Sequence, residues 1–379
     1  MYDVAIIGGG LAGLASAIQL AAQGFSVVVF EKKEYPFHRV CGEYVSLEAW
    51  AFLRELGLPL ETLDLPKINE LVVSSPSGTT IKHELNPGGF GISRYLFDQL
   101  LAEIAREKNV QLITNTTVVD VSCQNEWEVK TAKETYQAKL VIGSFGKRST
   151  IDQQRKHELK RKKKSWLTNF IGVKYHVTAD LPANRIELHN FKDGYCGISK
   201  VEAQRYCLCY LTTAKNLKRT GGSIEQLEAE VLMKNPFLND YFTRFERLYE
   251  KPLSISQIDF SKKEIVENKM LMLGDAAGLI TPLCGNGMTM ALQSASILAA
   301  ILPAYLVGDL AEDQLRKQYE KQWQETFEKR LKAGRFIQSM FGNATMTNVF
   351  ISVMKRLPKA TDSLIALTHG KPFHATLSR

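Results

Sequence analysis

At 379 residues the chain is too long for one ordinary core and calls for two or three domains. Its 45% hydrophobic and 23% charged content is that of a globular protein, and no uninterrupted apolar run reaches the roughly 18 residues of a membrane-spanning helix. The net charge of +8 gathers in residues 155–164, RKHELKRKKK, from Arg155 to Lys164. That block reads as a solvated loop, or as a docking surface for an acidic carrier protein, an anionic membrane face or a phosphorylated substrate. No aromatic residues interleave with it, which argues against nucleic acid.

Residues 2–7 read as a buried strand running into Gly8-Gly9-Gly10-Leu11-Ala12-Gly13. An apolar helix (Leu14, Ala17, Ile18, Leu20), a turn at Gly24, a second strand and Glu31 follow. Strand, Gly-x-Gly-x-x-Gly, helix, strand and acid together make a complete dinucleotide-binding unit, far more specific than the glycines alone. Gly8 permits the tight turn, Gly10 lets the backbone approach a pyrophosphate, and Gly13 lets helix and strand pack closely. The helix N-terminus presents N–H groups to the phosphates, and Glu31 is placed to accept both hydroxyls of an adenosine ribose.

Further along, Ser46 reads as the N-cap of a helix with Leu47, Trp50, Leu53 and Leu56 on its apolar face, ending at Gly57. Residues 68–85 form a hairpin turning at Pro76-Ser77-Gly78, and Arg94 heads a helix. Strands follow at 110–114, 117–123, 126–131 and 134–142, the last leading into Gly143-Ser144-Phe145-Gly146. Longer alternating strands at 168–178, 184–191, 194–200 and 205–212 read as an antiparallel sheet covered by a helix near 223–233. A strand near 253–261 comes next, and Met270 to Leu273 leads to Gly274-Asp275. Pro282 and Gly285-Asn286-Gly287-Met288 open a helix to about 302, and Tyr319, Trp323, Phe327 and Leu331 form a packing stripe beyond it.

Six cysteines (Cys41, Cys123, Cys196, Cys207, Cys209, Cys284) are scattered without metal-ligand spacing, so no metal is expected and a reduced cytoplasm fits. Cys207 and Cys209 share one strand face and read as packing. The N-terminal apolar stretch is cut by three glycines and lacks a basic leader, which argues against a secretory signal.

On these three glycine-rich sites the chain resembles the flavoprotein superfamily that includes para-hydroxybenzoate hydroxylase and geranylgeranyl reductase, over roughly residues 1–305. The resemblance implies an α/β fold: a Rossmann-like FAD-binding domain (1–67, 87–164, 263–308) interleaved with an antiparallel-sheet substrate domain (68–86, 165–262), then a helical C-terminal region (309–379). It implies FAD contacts from Gly8, Gly10, Leu11, Ala12, Gly13, Glu31 and Lys32, from Arg39, Cys41 and Gly42, and from Arg94, Val118 and Gly146. At the other end it implies Gly274, Asp275, Pro282, Gly285, Asn286, Gly287 and Met288, with Asp275 accepting a ribityl or ribose hydroxyl. A helix starting near Asn286 aims N–H groups at the pyrimidine end of a flavin, where they stabilise negative charge on the reduced ring. Phe145 departs from the family, which has an Asp there linked to both FAD and NAD(P)H. NAD(P)H is expected as a transient electron donor, but without a second Gly-x-Gly-x-x-Gly to bind it.

The reaction is harder to read. Cys41 is followed by Ser46, which excludes a disulfide reductase, and no Trp-x-Trp-x-Ile-Pro segment of flavin halogenases is present. The favoured reading is an NAD(P)H-using monooxygenase that hydroxylates an apolar aromatic or polyketide/lipid-like small molecule. The alternative is a reductase saturating C=C bonds of a prenyl or lipid chain, since Cys41-Gly42 matches the loop of geranylgeranyl reductases. Of their Tyr-x-Trp-x-Phe-Pro segment, however, only Tyr195 survives. A FAD-binding partner without turnover is the reading from another class, and the turn at 282–288 argues against it. Candidate catalytic residues are Cys41 (beside the flavin, or a small filler), Glu43 (a proton donor, or a helix-start charge) and Tyr195. His83 and His176 join Tyr195 as cavity-wall candidates, and no catalytic base is assigned. The expected location is the cytoplasm or a membrane periphery.

Overall fold

β1 (Tyr2–Ile7) enters α1 (Leu11–Ala22) and β2 (Val27–Phe30), as the glycine unit requires. β3 (Tyr44–Ser46), α2 (Trp50–Glu55), β4 (Lys67–Ser74), β5 (Thr80–Gly91) and α3 (Arg94–Glu107) come next. β6 (Gln111–Ile113), β7 (Val118–Cys123), β8 (Trp127–Thr131) and β9 (Thr135–Gly143) follow. The computed structural model describes residues 1–147, 168–279, 285–341 and 343–378. Beyond the first gap lie β10 (Thr168–Val177), β11 (Arg185–Phe191), β12 (Gly194–Lys200) and β13 (Tyr206–Thr213). Three short helices, α4 (Ala214–Arg219), α5 (Ile224–Glu230) and α6 (Pro236–Arg244), precede β14 (Leu253–Asp259). β15 (Val266–Glu267) and β16 (Met270–Met272) return the chain to its start. Four helices end it: α7 (Gly287–Leu306), α8 (Glu312–Met340), α9 (Ala344–Arg356) and α10 (Pro358–Ala366).

The strands form two eight-stranded sheets. The first runs β15-β16-β9-β1-β2-β6, parallel from β16 to β6, with β7 and β8 joined through β9. Val4, Ala5, Ile6, Val28, Val29, Val141 and Ile142 are buried, as a parallel sheet covered on both faces demands. On the edge away from β1, β9 serves two neighbours in turn. Its first half pairs antiparallel with β8 (Trp127 opposite Ala138), and its end pairs parallel with β16 (Leu271 opposite Ile142).

The second sheet runs β14-β10-β13-β12-β11-β4-β5-β3. It is antiparallel, as its alternating sequence foretells, except where β4 lies parallel to β11 with Val73 opposite Leu188. Sequence alternation marks a half-buried strand but not its partner, and β4 meets a strand that arrives more than a hundred residues later. Along β10 the two faces separate cleanly. Ile171, Val173, Tyr175 and Val177 pack with Leu227, Leu232, Leu238 and Tyr241 under the short helices. Gly172, Lys174 and His176 face the other way, toward the loop after β2, where Gly172 meets Val40 and the other two meet Glu43.

α7 corrects one reading of composition. By length and average composition it is apolar enough to cross a membrane, although threonine, glutamine and serine interrupt its apolar run. Here it packs against α1 and α8 and buries Met288, Leu292, Ala295, Leu298 and Leu302. The stripe on α8 is a packing face, as read: Tyr319 and Phe327 are fully buried, and the Tyr319 hydroxyl donates to the Met272 carbonyl at 2.7 Å.

Candidate functional site

The two sheets and the C-terminal helices enclose one cavity of about 900 Å³, near the upper end for small-molecule and cofactor sites. Most residues singled out in the sequence line it: Gly8, Gly10, Leu11, Ala12, Glu31, Lys32, Arg39, Cys41, Gly42 and Glu43 from the first motif and its loop. Arg94, Val118, Gly146, Tyr195, Gly274, Asp275, Gly285, Gly287 and Met288 complete the set. Gly13 and Asn286 are not on the wall. Asn286 is buried and its Nδ2 donates to the Thr368 carbonyl. Pro282 and the basic block from Arg155 to Lys164 lie outside the described residues.

The three motif glycines differ in what they are for. Gly8 has φ +108°, and a Cβ there would sit 2.4 Å from the Ser144 carbonyl oxygen. A Cβ on Gly13 would sit 2.1 Å from the Gly8 carbonyl oxygen. Both are required by the protein's own packing. Gly10 has φ −88°, which any residue adopts, and its Cβ would meet only Arg94 Nη2 at 3.9 Å. Nothing in the fold forbids a side chain there. The space it leaves, at the N-terminus of α1 where no side chain caps the helix, suits a pyrophosphate.

Charges ring this cradle. Arg39 reaches Glu31 at 3.0 Å and Asp98 at 2.9 Å, and Arg94 grips the same Asp98 at 2.7 and 2.8 Å. Glu31 also accepts the Gly9 N–H at 3.1 Å, so its carboxylate is fixed at the end of β2. Across the cavity, Gly274 has φ +56° and donates its N–H to Ser294 Oγ, which sets Asp275 on the wall. Gly287 and Met288 bring the uncapped first turn of α7 to the same wall.

Glu43 is not a proton donor. Fully buried and at φ +57°, it accepts from Lys174 Nζ, from His176 Nε2 at 2.6 Å and from the Arg94 N–H at 2.8 Å. Burial pushes its carboxyl up, but Lys174 and His176 outweigh that and hold it at about 2. A carboxylate so held stays ionised at neutral pH. Its helix-start role is real but belongs to α3, not to the helix after Ser46. Lys174, which the sequence reading passed over, is the partner that makes this possible. Its ammonium is opposed by burial yet raised by Glu43.

Cys41 sits half-buried on the cavity wall, and the Cys207 thiol lies 3.2 Å from its carbonyl oxygen. Cys207 and Cys209 share a face, as read. Burial pushes the Cys209 thiol up to about 12 and those of Cys196 and Cys207 well above their ordinary value, so none of the three is a ready thiolate. His83 and Tyr195 line the cavity; His176 does not, being turned to Glu43.

The far end of the cavity is walled by Leu71, Ile81 and Leu85 of the hairpin, Ile186 and Leu188 of β11, and Phe350, Ile351, Met354 and Ile365 of the last two helices. No local pattern in these helices marks them as closing the site. Among the described residues this end carries no Lys or Arg, and three polar atoms on its wall residues stand buried without a partner: Tyr44 Oη, Ser199 Oγ and His369 Nε2. His369 Nδ1 is 3.0 Å from the Ile365 carbonyl and donates to it, which leaves Nε2 facing the cavity without a partner.

The FAD binding domain family matches residues 1–332. The chain belongs to that family. Its membership bears out the flavoprotein resemblance, and the cradle at Gly10 fits the cofactor the family is named for. Conditioned medium factor receptor 1 of Dictyostelium discoideum is 25% identical over 329 residues, covering 78% of this chain and 62% of that protein. Digeranylgeranylglycerophospholipid reductase of Sulfolobus acidocaldarius is 34% identical over 125 residues, 31% of this chain and 26% of that one. The chain thus spans less than two thirds of the length of either relative. Among solved structures, the flavin-dependent brominase Bmp2 superposes with a TM-score of 0.80 at 19% identity, over 97% of this chain and 93% of the other. That likeness shows the fold: a flavoenzyme framework of two sheets and a helical end.

Proposed function

We propose that this flavoprotein is an NAD(P)H-using FAD-dependent monooxygenase that hydroxylates an apolar aromatic or polyketide/lipid-like small molecule. One observation carries the reading: the cofactor cradle opens into an apolar end on whose wall Tyr44 Oη, Ser199 Oγ and His369 Nε2 stand without a partner. Such a wall suits a largely apolar molecule bearing a hydroxyl or carbonyl group. Curated relatives that include FAD-dependent monooxygenases support the same class.

When bound, FAD supplies two-electron redox chemistry. The chain's own residues do the rest. Gly10 and the α1 N-terminus would hold the pyrophosphate, Glu31 the adenosine ribose and Asp275 the polyol. The first turn of α7 would stabilise negative charge at the ring. Leu71, Ile81, Ile186 and Ile365 exclude water from the reacting carbon, and Tyr44 or His369 would orient a substrate hydroxyl. The overall reaction is R–H + O₂ + NAD(P)H + H⁺ → R–OH + NAD(P)⁺ + H₂O.

A second reading, saturation of C=C bonds in a prenyl or lipid chain, is favoured by Cys41-Gly42 on the cavity wall and by the similarity to the Sulfolobus reductase. Anaerobic reduction followed by air separates the two. A monooxygenase is reduced by NADH or NADPH, reoxidises quickly, releases hydrogen peroxide without substrate and places one atom of ¹⁸O₂ in its product. Reduction by dithionite or ferredoxin alone, with slow reoxidation and gain of two hydrogens by the substrate, replaces the first reading with the second. Failure to retain FAD after reconstitution ends both. Mass analysis of the molecule that co-purifies supplies the substrate for this test.

A further inference from the structure

We propose that α9 docks on an anionic lipid bilayer, so that the apolar end of the cavity faces the acyl chains from which its substrate comes. The proposal builds on the reading of that cavity as a site for a lipid-like molecule. Met346, Val349 and Val353 stand at i, i+3 and i+7 of α9, and Leu357 follows at its end. They are 48, 59, 46 and 51% exposed. Spaced this way, they share one outward face. The next face round the helix carries Phe350, Ile351 and Met354, which line the cavity. α9 is therefore apolar both toward the cavity and toward the outside, and only a strip with Asn348, Ser352, Lys355 and Arg356 is polar. A helix that merely walled a cavity would turn polar residues outward.

Charge names the occupant. From Phe341 on the sequence carries five Lys or Arg and one acid, Asp362, which is engaged with His83 at 2.7 Å. Lys355, Arg356 and Lys359 are exposed at the C-terminal end of the apolar face. An apolar helix face edged by cations is the pattern of helices that lie in an anionic membrane interface. A second copy of this chain would bring like charge against like. The helix is held to the hairpin from its other side by Ser77 to Asn348 at 2.9 Å, and the following α10 is held there by His83 to Asp362, so docking leaves these contacts alone.

The test is co-sedimentation of the FAD-loaded protein with vesicles of equimolar phosphatidylglycerol and phosphatidylcholine, against phosphatidylcholine alone. Binding to the anionic vesicles, weakened by salt, is expected. Val349→Asp with Val353→Asp should lower the vesicle partition coefficient about tenfold or more, since it removes two buried aliphatic contacts. Lys355→Glu with Arg356→Glu should abolish the preference for anionic vesicles. Both pairs sit on the solvent side and should keep the wild-type flavin spectrum and melting temperature. Absence of binding, binding that neither pair alters, or light scattering that shows a wild-type dimer broken by the aspartates would overturn the proposal. Vesicle binding is read without turnover, so it stands or falls separately from hydroxylation.

Discussion

His176 Nε2 lies 2.6 Å from Glu43 Oε2, and through that contact β10 of the second sheet is tied to the loop that follows β2 of the first. The same carboxylate accepts from Lys174 and from the first N–H of α3. One buried anion therefore pins three separately encoded segments beside the cofactor cradle.

Removing that anion should be severe. Glu43→Gln keeps the shape but leaves the buried Lys174 ammonium without its counter-charge, a loss of about 3–5 kcal/mol. Urea denaturation should show the midpoint falling with little change in slope. Adding Lys174→Met to Glu43→Gln should recover much of the loss. If Glu43→Gln alone is as stable as wild type, the pair is not held as described.

Acid should weaken the fold in two stages. Burial, helped by Lys174 and His176, lowers His38 from its ordinary 6.5 to about 4. The unfolded chain therefore binds that proton first, and stability declines as pH falls from about 6.5 to 4. Glu43, held near 2 against its ordinary 4.5, stabilises the fold above about 4.5, and that contribution is lost as pH falls toward 2. Melting temperature followed against pH should fall across both windows. His38→Asn should flatten the upper one and leave the lower unchanged.

Gly10 and Gly8 should behave oppositely. Gly10→Val meets no backbone obstacle, so the variant should fold with near-native circular dichroism and fail to retain FAD. Gly8→Ala forces a Cβ into Ser144 at a positive φ and should lower the melting temperature before flavin is considered. A Gly10→Val protein that still carries stoichiometric flavin would move the pyrophosphate elsewhere.

Asp275→Ala should remove one charge-assisted hydrogen bond to FAD, about 1.5–3 kcal/mol, or roughly ten- to a hundredfold in affinity. Fluorescence titration of the apoprotein measures it. Unchanged affinity would mean that the carboxylate does not meet the polyol.

What the sequence disclosed was local. The glycine unit, Gly274-Asp275 and the helix from Gly287 each place a glycine where backbone must turn or approach a ligand, so the signal sits within a few residues. The Glu43 cluster joins positions 131 and 133 apart, which no local pattern encodes. A trace was present all the same: Lys174 and His176 alternate with Val173, Tyr175 and Val177, so one face of an otherwise apolar strand is polar and wants a partner. The cavity roof was hidden for another reason. Phe350, Ile351 and Met354 look like any amphipathic helix face, and only packing shows that they cover a ligand space rather than a core. The parallel joint of β4 with β11 escaped because alternation fixes which way side chains point, not who the neighbour is.

β9 pairs early with β1 and β8 but receives β16 only at Leu271, and Asp275 and the Gly287 turn lie later still. A ribosome must therefore release the chain past Met288 before FAD has both ends of its berth, although the first glycine turn is complete once about thirty residues have been made, a matter of seconds. Flavin capture is thus a late event, and the yellow colour of a preparation reports that the distant halves of the chain have met. One edge of β4 waits unpaired until β11 is made, and the end of β9 waits until β16 is made, which makes aggregation during synthesis the natural hazard of this topology and early FAD supply of little use against it.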